Sequence, residues 1–344
     1  MILARWRAKL ELMHTLQWLI FPALGFALTS PGPWPGRAQV PSSTDEPVFL
    51  FSTFREPEQD GLRFAYSLDG YHWSNVPGLF LQPRVGGGIM RDPSICRGPD
   101  GKWHLVWTSA WWGDRGFGYA QSQDLVHWSE PRFIPVMAHE PDTVNVWAPE
   151  LFYDAPRNRF LVVWASTIPG RFPDHLEPRT NNHRLYYTAT RDFQEFTPTQ
   201  LFWDPGYSVI DAQIVFTDPG YVLVHKDNTR PERRLRVAFG DSPLGPWRDI
   251  SPHLTEPFTE GPSVLKVGQE WIVYYEAYRD RQYRALKTRD FRRFHNATAE
   301  MTFPAGLKHG TAFLASRRDL ERLLQAGQHQ AQPTNHPALR TTPP

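Results

Sequence analysis

Five residues head β-prone runs at nearly regular intervals: Asp92, Glu150, Asp211, Glu260 and His309, separated by 58, 61, 49 and 49 positions. Four of them are carboxylic acids. Carboxylates brought together repel one another, so at least one of a convergent set keeps its proton above the ordinary range while another stays ionised. That division is what acid–base cleavage of a glycosidic bond requires. An Asp before Pro, as at Asp92, is by itself an ordinary strand-start or turn residue. The chemical argument therefore depends on the elements that set these residues in register.

Two phrases recur along the chain. One joins an aromatic strand to a Ser/Thr-x-Asp turn and a further aromatic, as in "FAYSLDGYHW", "GYAQSQDLVHW", "LYYTATRDFQEF", "RVAFGDSPLGPW" and "YRALKTRDFRRF". The other lies upstream of it and runs from an acidic or polar residue through a β-prone stretch and a turn to a second apolar strand. Its members are "RDPSICRGPDGKWHLVWTS", "APELFYDAPRNRFLVVWAS", "IDAQIVFTDPGYVLVHK" and "EGPSVLKVGQEWIVYYEA", with "KHGTAFLAS" as the opening half of a fifth. Turns rich in Pro, Asp, Asn and Gly between β-branched and aromatic runs read as hairpins. A period of this length suits one four-stranded sheet per repeat. The chain thus reads as all-β: a five-bladed β-propeller over 45–316, with four-stranded antiparallel blades around a central channel, rather than a β-sandwich.

The last repeat lacks a continuation, while "EPVFLFSTFR" and "LRFAYSLDGYHW" near the start lack an opening strand. Joining the two ends completes one blade and hides its open edges. The first strand of each blade lines the channel, so the five leading residues are expected at one mouth.

Composition narrows the function classes. Lys+Arg number 37 and Asp+Glu 36, so no long-range field favours nucleic acid or an anionic membrane. A single cysteine, Cys96, excludes an intrachain disulfide and a Cys-based zinc site, and is expected to pack in a strand. Residues 1–38 read as a targeting segment: Arg5, Arg7 and Lys9 precede the apolar run Leu16 to Leu28, and the small residues Gly36 and Ala38 precede Gln39. That run is short for a bilayer span, which takes about 20 apolar residues. A secreted or periplasmic protein without a stable membrane partner is expected, an uncleaved N-terminal tether being the alternative. Residues 317–344 are expected to hold a short helix at "RRDLERLLQ" followed by a disordered tail.

The motifs "MRDPSI", "NVWAPELFYD", "VIDAQIV" and "TEGPSVLKVGQEWIVYY", in this order on five blades, resemble glycoside hydrolase family 43 over about Val48 to Ser316. Related fructan-cleaving enzymes usually place Cys after the catalytic Glu, where this chain has Gly261, and their early Asn-Asp-Pro motif has no equivalent here. The resemblance implies a glycosidase that inverts, with Asp92 as general base, Glu260 as general acid, and Asp211 beside Glu260 to raise its pKa and orient it. Inversion implies carboxyl groups about 6.5–9.5 Å apart, leaving room for water. The implied substrates are terminal α-L-arabinofuranosyl or β-D-xylosyl groups of plant-type polysaccharides or oligosaccharides, galactosyl groups remaining open. No cofactor is required by the resemblance; a structural calcium ion in the channel, reached by His309 through water, is an option it leaves open.

Sugar contacts are expected from Arg91, Trp111, Trp112, Trp147, Glu150 and His225, the indoles because a flat ring covers the apolar face of a sugar. The polar stretches "NNHR" (Asn181 to Arg184) and "HKDN" (His225 to Asn228) are expected near blade mouths, and "IPGRFPDHLEPRTNNH" is long enough to wall a pocket. A carbohydrate-binding propeller without turnover is the competing function.

Overall fold

A computed structural model describes residues 46–173, 177 and 180–331. The expected targeting segment 1–38 and the tail beyond residue 331 lie outside the described residues.

The described chain forms five antiparallel sheets. The first contains β1 (Pro47–Thr53), β2 (Leu62–Ser67) and β3 (Ser74–Leu81). The second is β4 (Arg91–Arg97), β5 (Trp103–Thr108), β6 (Phe117–Ser122) and β7 (Arg132–Ile134). The third is β8 (Trp147–Asp154), β9 (Arg159–Ser166), β10 (Arg184–Thr190) and β11 (Gln200–Trp203). β12 (Val209–Phe216), β13 (Tyr221–Asp227) and β14 (Arg234–Gly240) make the fourth. The fifth is β15 (Thr259–Val267), β16 (Glu270–Ala277), β17 (Gln282–Thr288) and β18 (Phe294–Asn296). Finally β19 (Ala312–Ser316) returns to pair with β1, Ala312 opposite Phe51 and Ser316 opposite Pro47. The expected joining of the chain ends is therefore what closes the ring.

The fourth blade departs from the four-strand pattern. Its outer position is held by an irregular segment in which Arg248 pairs with Phe239, Ser251 N–H donates to Val237 O, and Leu254 N–H donates to Leu235 O. Pro246 and Pro252 cannot donate, which interrupts a regular ladder there.

Apolar runs on the second strands are explained by burial on both faces. Along β9, Phe160, Val162 and Trp164 face the second blade, while Leu161, Val163 and Ala165 face the fourth. Along β16, Ile272 and Tyr274 face the first blade, and Val273 and Tyr275 face the fourth. Five such apolar layers separate the blades, each fully buried large side chain contributing about 1.5–3 kcal/mol.

The Ser/Thr-x-Asp repeat has a hydrogen-bonding cause. The hydroxyls of Ser67, Ser122, Thr190 and Thr288 accept backbone N–H groups two and three residues on. Asp69, Asp124, Asp192 and Asp290 then each accept the two N–H groups that follow, leading the chain toward the blade's outer edge.

The expected helix is α1 (Arg317–Ala331). Ser316 and Asp319 exchange backbone N–H bonds at its start, in the manner of a capping box. Its Leu320 and Leu323 are buried in the layer shared by the first two blades, and Leu79 N–H on β3 donates to Gln330 Oε1.

Candidate active site

Strands β4, β8, β12, β15 and β19 surround the channel and are tied together by side chains. Leu151 N–H donates to Ser94 Oγ (3.0 Å), Val264 N–H to Gln213 Oε1 (2.6 Å), and Ala312 N–H to Ser263 Oγ (2.7 Å). These bonds set the true register between blades. Asp92, Ala148, Asp211, Gly261 and His309 are equivalent, and so are Arg91, Trp147, Ile210, Glu260 and Lys308 one position earlier. A third level holds Ser94, Glu150, Gln213, Ser263 and Thr311.

The expectation that the five leading residues occupy one position is thereby corrected. Glu260 stands one residue ahead of Asp92 and Asp211, and Glu150 two residues behind. The four strands share one bulge at their start, where pairing shifts between Arg91 and Ser94, Trp147 and Glu150, Ile210 and Gln213, and Glu260 and Ser263, and the acids fall at different places in it: Glu260 and Glu150 flank its two ends while Asp92 and Asp211 lie inside. In each bulge one residue is left-handed: Asp92 (φ 50°), Ala148 (φ 46°), Asp211 (φ 52°) or Gly261 (φ 60°). A bulge re-aims a side chain, and left-handed backbone at a non-glycine residue stores about 1–2 kcal/mol of strain. Here it brings carboxylates from two adjacent chain positions to the same mouth.

They meet in a cavity of about 460 Å³ lined by Asp92, Asp211, Glu260, Arg91, His309 and the three tryptophans 111, 112 and 147, among others. That volume suits a small ligand. Asp92 Oδ2 accepts Thr108 Oγ1–H (2.9 Å), and Asp92 Oδ1 lies 3.1 Å from His309 Nδ1. Burial opposes the Asp92 charge, but His309, Arg91 and Thr108 together hold its carboxyl below the usual range. His309 itself is pushed up to about 9: desolvation works against the imidazolium and is outweighed by Asp92, Asp211 and Glu150.

Asp211 and Glu260 have the opposite arrangement to the one expected from sequence. Desolvation raises Asp211, with the charges of Glu260 and Asp92 adding to it, while its Oδ2 accepts Gly261 N–H at 3.1 Å. Glu260 is lowered, because Lys226 Nζ 2.8 Å from its Oε2 outweighs burial, with His309 and Arg91 assisting. Behind them Lys308 bonds to Glu56 and Glu276, and Glu56 also binds Arg91. Glu276, the cross-strand partner of Glu260, is pushed up to about 7 by burial and by the Glu260 charge.

The tryptophans form one wall. Trp147 Nε1–H donates to Trp111 O (2.8 Å), the Trp112 and Trp147 rings are 4.8 Å apart, and His183 stacks on Trp147 at 5.0 Å. The Arg91 guanidinium lies over Trp111, 4.0 Å from the ring centre. Gly86 has φ 59°, and a Cβ there would sit 2.2 Å from Asp114 Oδ2, so this glycine lets the preceding loop close on the Trp-bearing turn.

Two expected sugar contacts do not reach the cavity. His225 is enclosed, its Nε2 2.8 Å from Tyr207 OH, and burial pushes it down to about 4. It lies one residue from Lys226, so strand alternation turns it away from the mouth. Glu150 lies below the cavity and is pushed up to about 7 by burial, opposed by Ser94, His309, Gln213 and Thr311. Glu56, Lys226, Lys308, Tyr278 and Thr108 also line the cavity, none of them expected individually from sequence. Lys226 and Lys308 were visible inside "HKDN" and "KHGT"; nothing marked Glu56. Of the long segment expected as a wall, Thr180 and Asn181 line the cavity, while residues 174–176 and 178–179 lie outside the described residues.

The His309 neighbourhood is a poor setting for a calcium ion: His309 Nδ1 lies 3.1 Å from Asp92 Oδ1, and the cations Arg91, Lys226 and Lys308 line the same cavity. No group of three or more His, Cys, Asp or Glu side chains among the described residues has metal-holding geometry. Cys96 is no nucleophile, since burial pushes its thiol up to about 12.

Known proteins bear on this geometry. An α-L-arabinofuranosidase of Bifidobacterium longum subsp. longum is 28% identical over 148 residues, covering 37% of this chain and 14% of that enzyme, so the chain spans only a small part of its curated relative. The crystal structure of a thermostable family-43 glycoside hydrolase shares the fold, with TM-score 0.50 and 18% identity over 66% of this chain and 77% of that one. A family model described as "Probable glycosyl hydrolase domain", of the family 43-related group, matches residues 46–321, the whole propeller. The chain therefore belongs to the glycoside hydrolase family 43-related domain family, a family of glycosidases.

Proposed function

We propose that this glycosidase works by single displacement with inversion, Asp92 acting as base, Glu260 as acid and Asp211 as the partner that stores the acid's proton. The observation that carries this reading is the division of states across one cavity: Asp92 is held ionised by His309, Thr108 and Arg91, while the Asp211 carboxyl is raised beside Glu260. A water against Asp92 gives up its proton as its oxygen attacks the anomeric carbon. The glycosidic C–O bond breaks, the leaving oxygen takes the proton from Glu260, and the product carries the opposite anomeric configuration. Asp92 then returns its proton to solvent.

Lys226 sets a condition on this cycle. It keeps Glu260 ionised in the free enzyme, so Glu260 must receive its proton, from Asp211 or solvent, as bound sugar displaces water and loosens the ion pair. Glu260 is the more exposed acid of the two, which suits it for the leaving oxygen. Should the clamp persist with sugar bound, the cavity binds without turnover.

Terminal α-L-arabinofuranosyl or β-D-xylosyl groups are the substrates of this reading, supported by the sequence motifs and by the name of the Bifidobacterium relative. A secreted or periplasmic location belongs to the same reading, supported by the basic-then-apolar N-terminus; no helix among the described residues is long and apolar enough to cross a membrane. The test is purified protein with aryl arabinosides, xylosides and galactosides, with NMR following the anomer first released. Inversion, lost in folded Asp92→Asn and Glu260→Gln variants, is expected. A retained anomer refutes the mechanism, and absence of cleavage across the panel refutes the substrate assignment.

A further inference from the structure

The cavity carries more positive charge than acid–base chemistry on a neutral sugar uses. Five permanent cations line it, Arg91, Lys226, Arg230, Arg233 and Lys308, together with four carboxylates and His309. Most of these charges are matched: Arg91 and Lys308 with Glu56, Lys226 with Glu260, and His309 with Asp92. Arg230 and Arg233 are different. Among the described residues, neither guanidinium forms an ion pair, and the acids around them are already engaged. Glu232 pairs with Arg234 and Asp227 with Arg236. Glu177 accepts the Arg230 backbone N–H at 2.8 Å through one oxygen and the Asn181 amide through the other.

The position of this pair is also fixed. Arg233 is left-handed (φ 52°), and its carbonyl accepts the N–H groups of Phe258 (3.0 Å) and Thr259 (3.2 Å), the two residues before Glu260. Glu260 faces the leaving oxygen in the proposed mechanism, so a group anchored beside it lies on the leaving-group side. Neutral sugars offer hydroxyls, which have no charge for a guanidinium to match. Paired guanidinium forks match a carboxylate.

We propose that Arg230 and Arg233 form a subsite for a uronate carboxylate on the leaving-group side of the scissile bond, making the substrate an acidic glycan. This rests on the hydrolase reading for its orientation, though not for the anion contact itself. The uronate stays outside the ring of catalytic acids, and its charge meets the two cations at the rim that have no ion-pair partner among the described residues.

Trigalacturonic acid and its carboxyl-reduced, neutral counterpart are the probes, because they differ in charge while keeping the sugar skeleton. Titrated into the full-length protein by calorimetry and by tryptophan fluorescence, the acid is expected to bind about tenfold tighter than the neutral sugar at low salt. The preference should shrink with added salt and vanish in the Arg230→Gln/Arg233→Gln variant, while Arg233→Lys retains part of it. Equal binding of the two probes, or no binding of either, overturns the inference. Cleavage of a neutral aryl glycoside with no acid preference removes this inference and leaves the hydrolase reading standing; arginine-dependent acid binding with no cleavage of any glycoside does the reverse.

Discussion

Lys226 Nζ lies 2.8 Å from Glu260 Oε2, the lysine side chain 2% exposed and the glutamate 24%. An ammonium so enclosed has little water to turn to, and the ring face of Tyr278 at 5.1 Å is its other partner. The pair thus sets when Glu260 takes up a proton. In Lys226→Met the Glu260 carboxyl loses the charge that lowers it, so its pKa rises. The alkaline limb of the kcat/KM profile, where the acid deprotonates, should move up by about one pH unit or more. A limb that stays in place sinks the proposed control.

Stability should fall as pH rises from about 5 to 9. The folded pKa of His309 is raised to about 9 from 6.5, so its contribution is complete below 6.5 and is lost as pH climbs through 9. Glu150 and Glu276, raised to about 7 from 4.5, act in the same direction at lower pH: their contribution is present below 4.5 and lost through 7. Asp92 is lowered and opposes them only in acid, its contribution being present above 3.8 and lost as pH falls further. His309 alone accounts for about 3 kcal/mol. Urea denaturation across this range reads the slope, and His309→Gln should flatten it between pH 6.5 and 9. A variant with the wild-type slope contradicts the imidazolium assignment.

Gly261→Ala should damage both fold and rate. Gly261 has φ 60°, and an added Cβ would meet His309 Cγ at 2.5 Å, pushing the imidazolium off Asp92. A loss of about 1–3 kcal/mol in the unfolding free energy is expected, with a lower kcat and an acid limb displaced upward as Asp92 loses its partner. Wild-type stability and pH profile together would exclude this contact.

Trp112 is half exposed (53%) and packs tilted at 52° against Trp147, so its outer face is free to cover a sugar. Trp112→Ala should raise KM by about three- to tenfold while kcat changes little, since ring stacking is the same in ground and transition states. Equal losses in kcat and kcat/KM would place the ring at the transition state instead.

Much of the architecture was legible in the chain because its devices are local and repeated. The Ser/Thr-x-Asp turns close through their own side chains, and the second strands announce burial on both faces by unbroken apolar runs. The gathering of Asp92, Asp211 and Glu260 followed from that repeat. Their electrostatics did not: Lys226 comes 34 residues before Glu260 and reaches it from the neighbouring blade. His225 was misplaced for a related reason, since its neighbour in "HKDN" faces the mouth and strand alternation turns His225 away.

By itself, then, the sequence determined the blade count, the closure of the ring and the acids that stand at its mouth, since turn chemistry and apolar period act over a few residues. Tertiary structure decided the register and the protons. The place each acid takes in the shared strand-start bulge sets Glu260 ahead of Asp92 and Glu150 below the cavity, and charges from separate blades choose which acid is ionised. Both depend on distances across the ring, and spacing along the chain does not encode them.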